Sequence, residues 1–304
     1  MTPPEAETIA GPVATAVAAT PTSLPAPGPW ARARKYYKIF RVTLVERMTY
    51  RADFLFSTFL RFLPMLTTIL LWDAIYAGSA AARRPVPGGF TREQTIAYLL
   101  LVNISRMFSS MPGLAGGVAR DIREGTIKKY LIQPVDMISY LLSYRAAHKV
   151  AYIISSFVPY AVLFFICRRF FYGALPTDAG TWLAYLAALV LAFLVGFFFE
   201  ASVGMVGFWF LEVTSLLYIV MSLNFFISGH MLPLDMLPRP WSTLLKWLPF
   251  QYMAYFPAVV LLGKVQGREL IFELLREAAW VVAFALLCRW LFRRGLRRYS
   301  AFGG

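Results

Sequence analysis

Long apolar runs set the strongest constraint on how this chain can fold. The longest, residues 181–208, reads TWLAYLAALVLAFLVGFFFEASVGMVGF and contains one charged residue, Glu200. A helix needs about 20 apolar residues to cross ~30 Å of hydrocarbon. In lipid, only helices and closed barrels satisfy their own backbone hydrogen bonds, and barrel strands would show short alternating segments instead. The runs therefore predict an all-α, polytopic membrane protein.

Composition agrees with this class, because 59% of the residues are hydrophobic and only 15% are charged. Soluble domains contain about 45–50% apolar and about 25% charged residues. Six windows of membrane-spanning length can be marked along the chain. They are residues 53–77, 94–117, 149–171, 181–208, 213–229 and 271–291.

Basic residues gather in alternate connecting segments. Seven Lys or Arg lie in ARARKYYKIFRVTLVERMTYR before the first window, and four arginines follow the sixth. The segment between the second and third windows is also basic. Positive charge marks cytoplasmic loops, so both termini and residues 118–147 are predicted to lie in the cytoplasm. The net charge of +14 then reflects membrane topology, and no nucleic-acid partner is expected.

Two further segments have distinctive patterns. Residues 32–51 predict a basic amphipathic helix on the inner membrane surface and in contact with lipid, although a soluble cytoplasmic helix is an alternative. Residues 230–268 are apolar but contain five prolines, which predicts short helices that re-enter the outer leaflet. Residues 1–30 are rich in Pro, Ala and Thr and predict a disordered tail before a membrane domain of residues 31–304.

The chain lacks the motifs of an energy-converting or catalytic protein. No G-x-x-x-x-G-K-[ST] motif for binding nucleotide phosphates is present. The two histidines and two cysteines do not have metal-ligand spacing. The sequence therefore predicts no enzymatic activity and no cofactor in this chain.

Charged and polar residues inside the windows are candidates for function, since a charge at the centre of a membrane helix costs at least about 2.5–3.5 kcal/mol. We expect Glu200 to pair with Arg61 or Arg106. Asn103, Arg106 and Ser110 form one polar stripe with two glycines, which predicts either close helix packing or the lining of a transport path. The candidate substrate-path residues are Arg61, Asn103, Arg106, Ser110, Glu200, Ser222 and Asn224.

Two stretches resemble the membrane subunit of ABC-2-type exporters. One is DIREGTIKKYLIQPVD, which starts at Asp121 and mixes charged residues with an isoleucine ladder. The other is ISGHMLPLDMLPRPWSTLLKWLPFQYMAYFPAVVLLG, which starts at Ile227. The resemblance covers about residues 33–298 and does not identify a substrate.

The resemblance implies six spans, an elbow helix first and re-entrant helices before the last span. It also implies a pair of permeases, the same or homologous chains, with two ATPase subunits that hold ATP and Mg²⁺. The insert would then be a coupling helix, in which Gly125 ends one helix and Asp136 caps the next. The implied ATPase-docking residues are Asp121, Ile122, Arg123, Glu124, Gly125, Thr126, Ile127, Lys128, Lys129, Tyr130 and Leu131. Of these, Ile127, Tyr130 and Leu131 would fill the partner's groove.

The leading hypothesis is therefore a permease that moves an amphipathic or lipid-like compound out across the cytoplasmic membrane. One alternative is a secondary transporter or channel that needs no ATPase, which would favour inverted repeats and carboxylates at the membrane midplane. Only Glu200 fits that second requirement. Another alternative is a scaffold that tethers cytoplasmic partners.

Overall fold

The computed structural model describes residues 28–49, 51–81, 87–172, 175–176, 178–210 and 212–299, and no strand occurs in these ranges. The predicted all-α class is therefore confirmed. Of the predicted tail, residues 1–27 lie outside the described residues.

The described helices follow the apolar windows and their caps. They are α1 Pro29–Thr49, α2 Arg51–Ala81, α3 Arg92–Ser109, α4 Leu114–Arg123, α5 Lys128–Leu131, α6 Met137–Ile166, α7 Ala179–Met205, α8 Thr214–Ile227, α9 Arg239–Trp247, α10 Tyr255–Leu261 and α11 Gly267–Arg298. Short 3₁₀ turns lie at Pro87–Gly89, Arg168–Phe171, Val206–Phe208, Leu234–Met236 and Pro249–Met253.

Three segments in the described part of the chain are long and apolar enough to cross a membrane. They are Phe62–Ser79, Met137–Ile166 and Ala179–Phe208, and α8 is a shorter apolar helix. The first, third, fourth and fifth predicted windows each fall largely on one of these helices, and the sixth falls within α11. The chain is thus built from several apolar helices, and the number of crossings stays a prediction.

The second predicted window, residues 94–117, is wrong as a continuous helix. The helix α3 ends at Ser109, Ser110 is extended, and α4 begins only at Leu114. Pro112 has no N–H to donate and disfavours a helical conformation at the residue before it. Gly113 then adopts a left-handed conformation with φ of 74°, which favours glycine. We call Ser110–Gly113 the helix break.

Helix α7 is central to the fold, and α3, α4, α10 and α11 all pack against it. Glycines on α7 allow this close approach. A Cβ atom at Gly196 would lie 2.0 Å from the carbonyl oxygen of Ser109, and one at Gly204 would lie 2.8 Å from that of Ala115. The backbones of α7, α3 and α4 are therefore in direct contact, as in small-residue helix packing in membranes.

The predicted amphipathic segment forms α1, which packs along α6. Arg47 donates a hydrogen bond to the hydroxyl of Tyr144, and the backbone N–H of Asp136 donates to the hydroxyl of Tyr36 over 3.2 Å. Tyr37, on the predicted apolar face, is 64% exposed. The helix thus uses part of its surface to pack on its own chain, and its position on a membrane stays a prediction.

The proline-rich segment 230–268 forms short helices and turns, of which α10 is fully buried. It is tied to the remainder of the fold by polar contacts. The hydroxyl of Ser109 on α3 donates to the carbonyl of Met253 over 2.5 Å, and the hydroxyl of Tyr252 donates to the carboxylate of Glu273 on α11 over 2.8 Å. Its depth in a membrane stays a prediction.

Asp136 caps α6, as its position before the apolar run indicates. Its carboxylate accepts from the backbone N–H of Ser139 over 2.9 Å and from both terminal nitrogens of Arg289 on α11, over 2.9 and 3.1 Å. Partial burial raises the pKa of Asp136, but the hydrogen bonds from Ser139 and Arg289 outweigh burial, so the pKa lies below its usual value. This carboxylate thus joins the start of α6 to α11.

Gly196→Ala should destabilise the protein, because the new methyl group would overlap the backbone of Ser109. We expect a loss of about 2 kcal/mol or more, as for other overpacked cores, measured as a lower midpoint of thermal unfolding in detergent. Gly117→Ala is the matched control, because a Cβ there meets nothing within 4 Å. Equal midpoints for the two variants would contradict the close approach.

Stability should depend on the ionisation of Asp136 at acid pH. The pKa is lowered in the folded state, so the carboxylate stabilises the fold above the usual Asp pKa of about 3.9, and this contribution is lost as pH falls through the lowered pKa. Acidification below about pH 4 should therefore lower the unfolding midpoint of the wild type more than that of Asp136→Asn, which still caps the helix. Glu124→Gln, at an exposed carboxylate, should follow the wild type. Parallel curves for Asp136→Asn and wild type would refute the assignment.

Candidate functional site, a helix break held by charged side chains

The helix break leaves backbone groups without partners inside an apolar bundle. The last carbonyls of α3 and the first N–H groups of α4 have no partner within their own helices. Water supplies such partners in a soluble protein, whereas in lipid each unpaired group costs several kcal/mol. The break can therefore persist only if other side chains satisfy it.

Helix α6 supplies two cations to the carbonyls of the break. The ammonium of Lys149 donates to the carbonyls of Met107, over 2.6 Å, and of Ser110. The guanidinium of Arg145 donates to the carbonyl of Pro112 over 2.9 Å. These two basic residues are four apart and so share one face of α6. Their charges also suit the negative end of the α3 dipole.

Helix α7 supplies an anion to the same break. The Oε1 atom of Glu200 accepts from the backbone N–H of Met111 over 3.1 Å. Glu200 is 8% exposed, and the charges that act on it are those of Arg106, Arg145 and Lys149. Its other carboxylate oxygen has no hydrogen-bond partner in the described part of the chain. A buried carboxylate is thus held among three cations.

The expected ion pair of Glu200 with Arg106 is not formed between these described residues. Glu200 binds backbone instead, because the break offers a free N–H that a continuous helix would not. The Nη1 atom of Arg106 is buried with no hydrogen-bond partner among the described groups. The side chain of Arg61 lies outside the described residues, so its pairing stays a prediction.

The other predicted substrate-path residues are divided between different places. Asn103 donates to the carbonyl of Leu99 over 2.7 Å and lines a cavity of about 170 Å³ together with His230, between α2 and α3. Asn224 is 4% exposed and shares a cleft of about 10 Å³ with Glu200, room for about one water. Ser222 is on the exposed side of α8. The structure therefore brings Asn224 to Glu200, beside the break that contains Ser110, and leaves Asn103 and Ser222 in other places.

The predicted polar stripe is also interrupted, since its helical spacing does not continue past Ser109. Sequence reasoning missed Lys149 and Arg145 as site residues, because it used them as markers of a cytoplasmic loop. The signal that could have identified them is their spacing, because two basic residues four apart at the start of a predicted span share one face of a helix.

The coupling segment, residues 118–147, begins where α4 leaves the break. Gly125 follows α4 with φ of 75°, as expected for the residue that ends a helix. The carboxylate of Asp121 accepts from the hydroxyl of Thr126 over 2.8 Å and pairs with Lys129 over 3.0 Å. Asp121 and Lys129, which were expected to bind a partner, therefore stabilise the turn of the coupling segment itself.

The apolar side chains of this segment are divided between the core and the surface. Ile122 is 4% and Ile127 is 0% exposed, and both belong to a cluster with Leu114 and Val118. Ile127 was expected to fill a partner's groove, and this is wrong for the present conformation because the chain's own core buries it. Tyr130 is partly buried against Tyr140, with ring centroids 5.4 Å apart.

Leu131 and Ile132 are the apolar side chains that face outward at the tip. Leu131 is 46% and Ile132 is 82% exposed. Ile132 lies one residue beyond the predicted docking range. Around them, the exposed charged residues are Arg123, Glu124, Lys128 and Lys129. No group of three or more possible metal-ligating side chains occurs in the ranges that the structure describes.

Lys149→Met should destabilise the fold by about 3 kcal/mol, because it leaves buried carbonyls of the break without a donor. The measurement is the thermal unfolding midpoint of the purified protein in detergent. Lys38→Met is the matched control, since Lys38 is exposed on α1 and should change the midpoint little. A midpoint for Lys149→Met equal to that of the control would show that the break does not need this cation.

Comparison with known proteins identifies the family of the chain. A family model described as ABC-2 family transporter protein matches residues 62–303, which include the helix break, the coupling segment and the proline-rich segment. The predicted elbow helix lies before the matched residues. None of the curated proteins matches the chain. Because the model matches well over half of the sequence, the chain belongs to the ABC-2 transporter family and is a membrane-embedded transport permease.

Proposed function

We propose that the chain is the permease subunit of an ATP-driven exporter in the cytoplasmic membrane, with both termini in the cytoplasm. It moves an amphipathic small molecule or lipid-like substrate outward. Two ATPase subunits bind ATP and Mg²⁺ and drive a pair of permeases. The observation that carries the proposal is the exposed pair Leu131 and Ile132 at the tip of a charged segment.

These two side chains support docking of a partner at the tip. Large apolar residues exposed beside Lys128 and Lys129 are typical of an interface centre with a polar rim. The chain has no phosphate-binding loop of its own. We therefore infer that the partner docked at this surface hydrolyses ATP and supplies the energy for transport.

The contacts at the helix break support a route for force from the tip. The helices on either side of the tip are α4 and α6, and Lys149 and Arg145 of α6 bind carbonyls of the break from which α4 begins. A displacement of the tip at Ile132 would therefore move α4 and α6 together. The movement would act on α7 through Glu200, whose carboxylate accepts from the backbone N–H of Met111.

The exposed surface of α8 supports a second permease as partner. Tyr218, Ile219, Leu223 and Phe226 of this short apolar helix are each more than half exposed. The cavity beside Asn103 opens between α2, α3 and the end of α8. If two permeases associate through α8, this cavity lies beside their interface and provides a path for substrate.

A transporter driven by an ion gradient is the second candidate, and one observation favours it. Glu200 is buried and has one carboxylate oxygen without a hydrogen bond in the described residues. Buried carboxylates in membrane segments often carry protons or ions. Transport that follows a pH gradient in ATP-free proteoliposomes would support this candidate and contradict the exporter.

Ile132→Asp should weaken binding of the ATPase at least about tenfold, because interface centres depend on a few apolar side chains. The measurement is the amount of a P-loop ATPase that co-purifies with the permease from its native membrane, at equal permease loading. Gln133→Asp is the matched control, since it adds the same charge at the neighbouring exposed position and removes no apolar group.

Two results would contradict the proposal. One is a wild-type permease that purifies without any stoichiometric ATPase and still transports at full rate. The other is equal ATPase recovery with Ile132→Asp and Gln133→Asp, which would remove Ile132 from the docking surface.

A further inference from the structure

A second cavity is lined by none of the residues of the helix break and is not used by the proposed function. It has a volume of about 450 Å³, within the range of about 300–1,000 Å³ for small-molecule sites. Its walls include Leu101 of α3, Phe164 of α6, Phe171 of the following turn and Trp182 of α7. These walls suit a hydrocarbon chain.

Among the described residues, Arg168 is the one charged residue that lines the cavity. Its guanidinium lies 4.8 Å from the ring centroid of Phe165, and the residue is exposed. No acidic side chain of the described residues forms an ion pair with it, and none lines the cavity. A planar guanidinium without a carboxylate partner suits a phosphate.

Tyr185 gives a second, independent indication of a ligand. It lines the same cavity and is only 7% exposed. Its hydroxyl has no hydrogen-bond partner among the described residues, whereas buried hydroxyls are usually paired. In contrast, the indole N–H of Trp182 donates to the carbonyl of Pro176 over 3.1 Å. Tyr185 therefore has a donor to offer to a molecule in the cavity.

The position of the cavity suits a lipid. It lies just past the end of α6, which has 30 residues and so extends about 45 Å from Asp136. Arg168 and Asp136 are thus at opposite ends of one membrane-spanning helix. Exposed Tyr172 and Trp182 are typical of the level of the lipid headgroups.

We propose that this cavity binds one anionic phospholipid. Its phosphate binds Arg168, an ester carbonyl accepts from the hydroxyl of Tyr185, and an acyl chain packs against Leu101, Phe164 and Phe171. Binding uses none of the residues of the coupling segment, so it does not depend on ATP or on an ATPase.

The test compares phosphatidylglycerol with phosphatidylcholine of the same acyl chains, counted on the purified full-length protein by native mass spectrometry. We expect the wild type to prefer phosphatidylglycerol about tenfold, because both lipids offer a phosphate but the choline cation of phosphatidylcholine lies beside that phosphate and repels the Arg168 guanidinium. Arg168→Gln should remove the preference and Arg168→Lys should retain most of it. Arg169→Gln is the matched control, because Arg169 lies over Phe170, 4.7 Å from the ring centroid, and does not line the cavity.

Tyr185→Phe tests the hydroxyl separately. Since both lipids carry ester carbonyls, it should weaken the binding of both severalfold and leave the preference unchanged. Tyr218→Phe is its control, as Tyr218 is 69% exposed on α8 and does not line the cavity. If Arg168→Gln fails to fold, salt dependence in the wild type replaces it, because salt should weaken binding of the anionic lipid alone.

Three outcomes would overturn the proposal. They are equal binding of the two lipids by the wild type, the same loss of preference in Arg168→Gln and Arg169→Gln, and release of phosphatidylglycerol by excess inorganic phosphate. The last result would identify an anion site that does not require the acyl chain. None of these outcomes bears on ATPase docking at Ile132, so the two proposals fail separately.

Discussion

The fold depends on how unpaired backbone groups are satisfied at the helix break. A helix that stops inside an apolar bundle exposes carbonyls and N–H groups that lipid cannot pair. Lys149 and Arg145 bind the carbonyls, and Glu200 binds the N–H of Met111. One set of contacts thus explains the burial of Lys149 and Glu200, fixes α6 and α7 around α3, and sets the direction in which α4 leaves toward the coupling segment.

Features that depend on local sequence could be predicted. The apolar windows predicted most of the long helices. Asp136, which precedes an apolar run, predicted the cap of α6, and Gly125 predicted the end of α4. The break could not be predicted in this way. Pro112 and Gly113 lie within an apolar window, and proline is tolerated in membrane helices when neighbouring groups pair the freed backbone. Lys149 and Arg145, which provide that pairing, are more than 30 residues away along the chain.

The coupling segment shows a related limit on what the sequence can predict about the candidate site. Ile122, Ile127 and Ile132 recur every five residues, which is not a helical period, so the sequence does not say which of them meets the core and which a partner. Packing decides this: Ile122 and Ile127 join the cluster formed with Phe197 and Met205 of α7, and Ile132 stays outside. The face of the segment that is available to a partner therefore depends on contacts with a helix about 70 residues later.

The contact at Gly196 has a consequence for how such a permease can change shape. With no side chain between them, the backbones of α7 and α3 interlock at Ser109, whose hydroxyl also donates to the carbonyl of Met253 over 2.5 Å. If α7 slid along α3, the carbonyl of Ser109 would meet a residue of α7 that is larger than Gly196, such as Phe197. We therefore expect α3 and α7 to move together, and any opening toward either side of the membrane to come from helices outside this contact, such as α2 and α8.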